Sequence, residues 1–393
     1  MKRVAFFAEI LFEEYDGASR TMYQIINRID KCRFTFLFIY GKGPENMEPH
    51  ASVKIPTLNT GLNADYSFSL PNLSKKHIHD TLDNFQPDVI HIATPSLLGF
   101  FAQRYAREKG IPVISLYHTN FLSYVPYYFR KFPVLIKPVK NWMSAAMLRF
   151  YNQCDIVYVP SHAMRQELKE LGVEQERMTL WQRGINLKIF NPKQRDLNYI
   201  QKLCGNDKPN ILFASRLVWE KNVQTLIQIY KRLQEIGLEH NFIVVGDGAA
   251  REEMQEQMPN AIFLGKQSHD QLAIIYASSD IFVFPSVSET YGNVVVEAMA
   301  SGLPCVIANG GGSADLVRHG HTGFKCLPKS ADDYLIYIRL LLSDPALYQF
   351  IRRAALESIQ EFDWEKLTNR YFSELEKLAG GLIDVKVRNI ANA

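Results

Sequence analysis

Short runs of β-branched and aromatic residues alternate with amphipathic stretches along most of the chain. The run Phe34–Tyr40 is almost entirely apolar, which is typical of a parallel strand that is covered on both faces. Strands that alternate with helices predict βαβ units and a doubly wound α/β fold. In the first half we predict strands at Val4–Ala8, Phe34–Tyr40, Asp88–Ile92, Pro112–Leu116 and Asp155–Val159, and helices at Leu73–Phe85, Leu97–Glu108 and Ala163–Leu171.

The alternation is interrupted once and then restarts. Residues 184–210 are polar and contain Pro192 and Pro209, which is typical of a connection between domains. A chain of 393 residues also has the length of two domains. We therefore predict a domain at 1–190, a second at 191–362, and a C-terminal helix plus tail at 363–393 that returns to the first domain. The strands predicted for the second domain are Ile211–Ala214, Phe242–Val245, Ile262–Leu264, Ile281–Phe284 and Cys305–Ala308, with helices at Val223–Ile236, Gln271–Ala277, Val294–Ala300 and Ala331–Leu342.

The composition excludes several classes of protein. A formal net charge of +3 is too small to indicate nucleic acid as a partner. The five cysteines include no CxxC pair, which argues against a disulfide framework or a zinc site. The first apolar run is interrupted by Glu9 and is more typical of a strand than of a signal peptide. No run approaches the roughly 18 apolar residues of a membrane span, so we expect a cytoplasmic protein.

The segment from Phe284 to Pro304 carries the strongest chemical signal. A strand ends there, and Gly292 opens an apolar helix whose first unpaired N–H groups can bind a phosphate. Glu289 precedes this helix, and Glu297 lies about two turns inside it. A carboxylate accepts hydrogen bonds from vicinal hydroxyls, so one glutamate can hold a hexose and the other a ribose. The alternative is an acid near a helix start and a solvated acid further along.

Two cations follow the strand that is predicted to end at Ala214. Arg216 and Lys221 lie at the edge where a parallel sheet presents its ligand, and together they can neutralise a diphosphate leaving group. The alternative is a loop arginine and a solvated lysine. The chain contains no DxD triplet and no His/Asp cluster of metal-ligand spacing. We therefore expect no metal cofactor, and the leaving group depends on these two side chains and the helix start.

Several motifs resemble those of the retaining family 4 glycosyltransferases with the two-Rossmann (GT-B) fold. The segment Glu289–Glu297 is similar to their E-x7-E signature, and Ala214–Asn222 resembles their G-R-L-x-x-x-K-G segment. Val244–Gly248 and Phe263–Leu272 follow in the family's order. The resemblance implies two Rossmann-like domains facing a cleft, with the donor diphosphate on Arg216 and Lys221. It also implies donor contacts from the helix start and the nucleobase-facing turn, at Lys266, Glu289, Tyr291, Gly292, Asn293, Val294 and Glu297.

The resemblance extends less tightly into the first half. Gly17 lies where many members have a pair of glycines close to the donor phosphates, and a backbone approach at a single glycine is still possible. His118 lies in a segment that places a histidine beside the donor sugar in the family. The sequence HTNFLSYVPYYF is most similar to the α-mannosyltransferases and sulfoquinovosyltransferases that act on lipid acceptors. The turn VVGDG is only half of a GxGxxG pattern, and we interpret it as a tight strand-to-helix turn.

The sequence thus predicts a retaining hexosyltransferase that uses a UDP- or GDP-linked sugar and an acceptor hydroxyl on a lipid, glycan or small molecule. By family analogy, His118, Arg216, Lys221 and Glu289 are its catalytic residues. Two alternatives stay open: an isomerase or phosphorylase on the same scaffold, and a nucleotide-sugar binding module without turnover. Residues 121–151 are rich in aromatic and basic residues. They are compatible with a peripheral contact at the inner face of a membrane, or with a solvated helix whose aromatics face the core.

Overall fold

A computed structural model describes residues 1–13, 17–59, 67–117, 122, 125, 129 and 132–381 of the chain. It divides into two compact units. Unit 1 comprises Met1–Pro160, Arg165–Trp181 and the chain from Leu367, and unit 2 comprises Ser161–Met164 and Gln182–Lys366. The main division therefore follows Trp181, whereas the sequence pattern places it at residue 190. The residues just after Trp181 already belong to unit 2, because the carbonyl of Arg183 accepts a 2.7 Å hydrogen bond from the Tyr291 hydroxyl of that unit.

Unit 1 is built on a seven-stranded parallel sheet in the order β3-β2-β1-β6-β7-β8-β9. The predicted strands are all present, and the apolar run from Phe34 is buried along nearly its whole length. The short strands β3 and β9 and the antiparallel pair β4–β5 were not predicted. The strands are β1 Lys2–Ile10, β2 Phe34–Lys42, β3 Ala51–Lys54, β4 Thr57–Asn59, β5 Ser67–Ser69, β6 Val89–Ile92, β7 Val113–Leu116, β8 Ile156–Val159 and β9 Met178–Leu180.

The last helix that the structure describes, Trp364–Ala379, belongs to unit 1 from Leu367 onward. The Tyr371 hydroxyl lies 2.7 Å from Nδ1 of the buried His91 on β6. Glu376 forms an ion pair with Arg33 at 2.7 Å. This helix therefore packs against the sheet of unit 1. The helices of this unit are α1 Gly17–Ile26, α2 Lys75–Phe85, α3 Leu97–Lys109, α4 Pro133–Tyr151 and α5 His162–Leu171, together with the last helix, α13 Trp364–Ala379.

Unit 2 contains a six-stranded parallel sheet in the order β12-β11-β10-β13-β14-β15. Its strands are β10 Asn210–Ala214, β11 Asn241–Val245, β12 Ile262–Gly265, β13 Ile281–Phe284, β14 Cys305–Ala308 and β15 Phe324–Cys326. Its helices are α6 Leu197–Cys204, α7 Val223–Glu235, α8 Arg251–Gln257, α9 His269–Ser278, α10 Asn293–Ala300, α11 Ala331–Ser343 and α12 Pro345–Ile359. The prediction of an α/β fold with two doubly wound parallel sheets is confirmed.

Both sheets reverse their strand order once. In unit 2 the reversal lies between β10 and β13, and in unit 1 between β1 and β6. Ligands of doubly wound sheets bind beyond the carboxyl ends of the strands at such a reversal. Within the described ranges, no helix combines the length and the hydropathy that crossing a bilayer requires.

Candidate functional site

The loops that follow β10 and β13 flank the strand reversal of unit 2. The first loop carries Arg216 and Lys221, and the second carries Glu289. Strand pairing fixes the start of both loops, because Ile211 and Leu212 lie beside Ile281 and Phe282 in the sheet. Residues about 70 positions apart in sequence are therefore neighbours at the edge where ligands bind.

Lys221 and Glu289 form a direct ion pair at this edge. Nζ of Lys221 lies 2.5 Å from Oε1 of Glu289 and donates to Oγ of Ser288 at 3.3 Å. Only 9% of the lysine side chain and 20% of the glutamate side chain are exposed. A buried ammonium group is stable only when it is paired. The pair therefore fixes a cation and a carboxylate side by side, while a fifth of the glutamate side chain stays exposed.

Asn222 fixes the position of Lys221. Its backbone has φ of 55°, in the left-handed region, and its Nδ2 donates to the carbonyls of Pro285 and Pro328 at 3.0 and 2.7 Å. The motif that this segment resembles has glycine at the position of Asn222. Asparagine is among the few residues that adopt left-handed backbone readily. Asn222 thus adopts a left-handed backbone and ties the first loop to the second loop at Pro285 and to the segment after β15 at Pro328.

Arg216 lies on an exposed part of the first loop. The loop is held by the VVGDG turn, because Leu217 donates to the carbonyl of Asp247 at 2.9 Å and accepts from the amide of Ala250 at 2.8 Å. A Cβ on Gly246 would lie 1.8 Å from the carbonyl oxygen of Ser215, so only glycine fits. The turn is a support for the Arg216 loop. In the part of the chain that the structure describes, the Arg216 guanidinium has no ion-pair or hydrogen-bond partner.

The helix α10 begins at Asn293, directly after the second loop, and Gly292 is the residue that precedes it. Gly292 has φ of 103°, and no described side chain caps the helix. The first amide groups of an α-helix have no acceptor within the helix, and they carry its positive dipole end. Asn293 and Val294, both half-buried, form this first turn. The start of α10 can therefore bind an anion such as a phosphate.

A glycine triplet that the sequence analysis overlooked shapes the second loop. The amide of Gly312 donates to the carbonyl of Glu289 at 2.7 Å. A Cβ on Gly311 would lie 2.4 Å from the carbonyl oxygen of Val287, and one on Gly312 would lie 2.1 Å from that of Thr290. Main chain therefore packs directly on main chain. The signal was present in the sequence, because Gly310-Gly311-Gly312 follows the end of β14 at the ligand edge.

Glu297 and Tyr291 have different surroundings from Glu289. Oε2 of the half-buried Glu297 accepts a 3.3 Å hydrogen bond from Tyr276. Burial, and after it the Glu297 charge, raises the pKa of Tyr276 well above its usual range, so this hydroxyl stays a donor. Tyr291 points into the core, where its hydroxyl bonds to Arg183. The side chain of Tyr291 is therefore a structural anchor, and only its backbone is left for a ligand.

The remaining predicted site residues are on other elements. Lys266 is exposed directly after Gly265, the last residue of β12, which has φ of 68°. Gly17 begins α1 in unit 1, where its carbonyl accepts a 2.8 Å hydrogen bond from Thr21. His118 lies outside the described residues. The structure thus brings Lys221 and Glu289 into contact, places the start of α10 after them, and leaves Gly17 in the other unit.

Comparisons with known proteins agree with this architecture. The family described as "Glycosyltransferase Family 4" matches residues 15–189, and "Glycosyl transferases group 1" matches residues 196–358. The sulfoquinovosyl transferase SQD2 of Arabidopsis thaliana is 34% identical over 300 residues, which is 74% of this chain and 56% of that protein. This chain therefore spans little more than half of that relative's length.

Two further relatives cover more of their own length. A GDP-mannose-dependent alpha-mannosyltransferase of Mycolicibacterium smegmatis is 28% identical over 346 residues, 85% of this chain and 88% of that protein. The structure of HepE from Anabaena in complex with UDP is similar in fold, with a TM-score of 0.74 at 19% identity over 96% of this chain and 100% of that one. The chain belongs to the family 4 glycosyltransferases and has their GT-B fold.

Proposed function

We propose that the chain is a metal-independent, retaining hexosyltransferase. It moves a hexosyl group from a UDP- or GDP-linked sugar to an acceptor hydroxyl and forms an α-glycosidic bond. The observation that carries the proposal is the ion pair that joins Lys221 of the first loop to Glu289 of the second loop, which leads into the uncapped start of α10. Such a site offers a cation, a carboxylate and free amide groups, the three groups that a sugar diphosphate needs.

The residues divide the donor between them. Lys221, the unpaired guanidinium of Arg216 and the amides of α10 bind the diphosphate and stabilise it as it leaves. The accessible part of Glu289 accepts hydrogen bonds from the hexose hydroxyls, and Glu297 accepts them from the ribose. Lys266 lies at the base, and Tyr291 to Val294 contribute backbone contacts. Family resemblance adds Gly17 and His118 from unit 1.

The reaction breaks the bond between the anomeric carbon and the phosphate oxygen and forms one to the acceptor oxygen. The acceptor attacks the face that the diphosphate leaves, and its proton passes to the departing phosphate oxygen, so the anomeric configuration is retained. The sequence lacks a DxD triplet, and Arg216 and Lys221 take over the neutralisation that a metal would provide. No cofactor is therefore needed.

The relatives guide the choice of substrates. HepE binds UDP in its crystal structure, and the mycobacterial relative depends on GDP-mannose, so both bases belong in a screen. The acceptor is an alcohol of a lipid, a glycan or a small molecule. We place the enzyme in the cytoplasm, with a peripheral position at the inner face of the membrane when the acceptor is a lipid.

A thermal-shift screen against nucleotide diphosphate sugars tests the proposal, because a ligand that binds the native state raises the melting temperature. The best donor is then incubated with and without an acceptor panel while nucleotide diphosphate release is measured. Acceptor-dependent release and an α-linked product support a transferase. Release or isomerisation without an acceptor indicates a phosphorylase or an epimerase, and binding without turnover on any acceptor indicates a binding module.

A further inference from the structure

A groove of about 460 Å³ lies between α3 and α4 of unit 1. One stripe of each helix forms its walls, and the residues within each stripe recur at helical spacings of three, four or seven. Most of the lining is apolar, and its charged groups are three guanidiniums. The residues that carry the argument are Leu97, Phe100, Arg104 and Arg107 on α3, with Trp142 and Arg149 on α4.

The groove is positively charged. Within the described residues, Arg104, Arg107 and Arg149 have no ion-pair or hydrogen-bond partner. The helix α4 contains no acidic residue, and Glu108 is the sole acidic residue of α3. Lys109 is paired with Asp83 of α2 at 2.7 Å. Arg104 and Arg107 on α3 and Lys137, Lys140 and Arg149 on α4 therefore stand against Glu108, a larger excess than the +3 of the whole chain.

Exposed apolar side chains continue the same surface. Trp142 is 71% exposed, Leu135 is 45% exposed, and Leu97 at the start of α3 is 55% exposed. Leu135, Trp142 and Arg149 are spaced by seven residues, so they share one face of α4. Tryptophan beside arginine and exposed leucine is typical of a helix that lies in a membrane interface.

We propose that this groove binds the phosphate headgroup of an anionic phospholipid in a bilayer. The forked guanidiniums of Arg104, Arg107 and Arg149 hold the phosphate oxygens. Trp142, Leu135 and Leu97 enter the interface beside the lipid's acyl chains. A free phosphate would use the arginines and leave the exposed apolar residues without a role, so the bilayer fits the whole surface better. The site lies within unit 1 and does not depend on the proposed reaction.

Vesicle flotation tests this site directly. The protein is expected to float with phosphatidylcholine vesicles that contain phosphatidylglycerol and to remain behind with pure phosphatidylcholine. Each cation near an anionic bilayer raises affinity roughly fivefold, so Arg104→Gln/Arg107→Gln/Arg149→Gln should lower the partition coefficient by about a hundredfold. A matched control, Lys75→Gln/Lys76→Gln/Lys169→Gln, removes the same charge from exposed positions of α2 and α5. It should lower the coefficient by less than about tenfold.

Tryptophan fluorescence supplies a second measurement. Binding should shift the emission of Trp142 to shorter wavelength, and Trp142→Phe should abolish that shift. Three results overturn the site: equal losses in the two triple variants, equal binding to neutral vesicles, or no binding by the unmodified protein. A thermal shift with glycerol phosphate but no flotation would reassign the groove to a soluble anion. Nucleotide binding is measured in parallel and should be unchanged, so failure here differs from failure of the transferase.

Discussion

Replacing Lys221 by alanine removes the ammonium group that lies 2.5 Å from Glu289. The lysine and glutamate side chains are only 9% and 20% exposed, so the variant leaves a largely buried carboxylate without its partner. Breaking a fully buried pair from one side costs about 3–5 kcal/mol. Because part of Glu289 still contacts water, we expect a smaller loss of unfolding free energy, about 2 kcal/mol.

The same substitution should lower activity for a separate reason. If Lys221 stabilises the departing diphosphate, its contribution is largest in the transition state. We expect kcat/KM to fall by about a hundredfold or more, which corresponds to roughly 2.7 kcal/mol. Nucleotide diphosphate release with the best donor and acceptor measures this effect, and urea unfolding measures the change in stability.

A double variant separates the two effects. Lys221→Ala/Glu289→Gln removes both charges, so it should recover most of the unfolding free energy while activity stays low. Lys188→Ala is the matched control, because Lys188 is an exposed lysine of the same unit, and both quantities should stay unchanged. The reasoning is refuted if Lys221→Ala keeps kcat/KM within about threefold of the original. It is also refuted if activity returns together with stability in the double variant.

Three further outcomes are expected. Glu297→Ala should weaken the binding of free nucleotide diphosphate by about tenfold or more in isothermal titration, because hydrogen bonds to a charged group are lost; an unchanged Kd would contradict the ribose role. Gly312→Ala places a Cβ 2.1 Å from the carbonyl oxygen of Thr290, so urea unfolding should show a loss of about 1–3 kcal/mol, and a variant of unchanged stability would show that the loop yields. Activity should persist in a chelator, and a complete loss that magnesium restores would contradict metal-independent transfer.

The fold was predictable from the sequence where a strand is a nearly continuous run of apolar residues. The strand β2 and the five strands predicted for unit 2 are hydrophobic runs that need cover on both faces, and this property is visible in the sequence alone. The edge strands β3 and β15 have only four and three residues and contain lysine. Such segments pair because a neighbouring strand is already in place, which a local pattern does not reveal.

The sequence indicates candidate site residues one by one, but it does not indicate how the folded chain arranges them. The motifs indicate Lys221 and Glu289 separately, one for the phosphate and one for the sugar, although the folded chain pairs them across 68 positions. Tyr291 differs from its prediction, because its place in the motif suggests a ligand contact. Its side chain is buried instead, and its hydroxyl donates to the carbonyl of Arg183. The motifs indicate which residues are candidates for the site. The direction of each side chain depends on tertiary packing, which the sequence does not reveal.

The loops around the site are fixed by main chain against main chain, at Gly246 against Ser215 and at Gly311 and Gly312 against Val287 and Thr290. The shape of such loops depends on these backbone contacts and not on the side chains that project from the loops. Side chains on these loops can therefore be substituted during evolution while the backbone of the loops keeps its shape. One scaffold can thus serve enzymes named for different sugars, such as the sulfoquinovosyl and mannosyl transferases that this chain resembles.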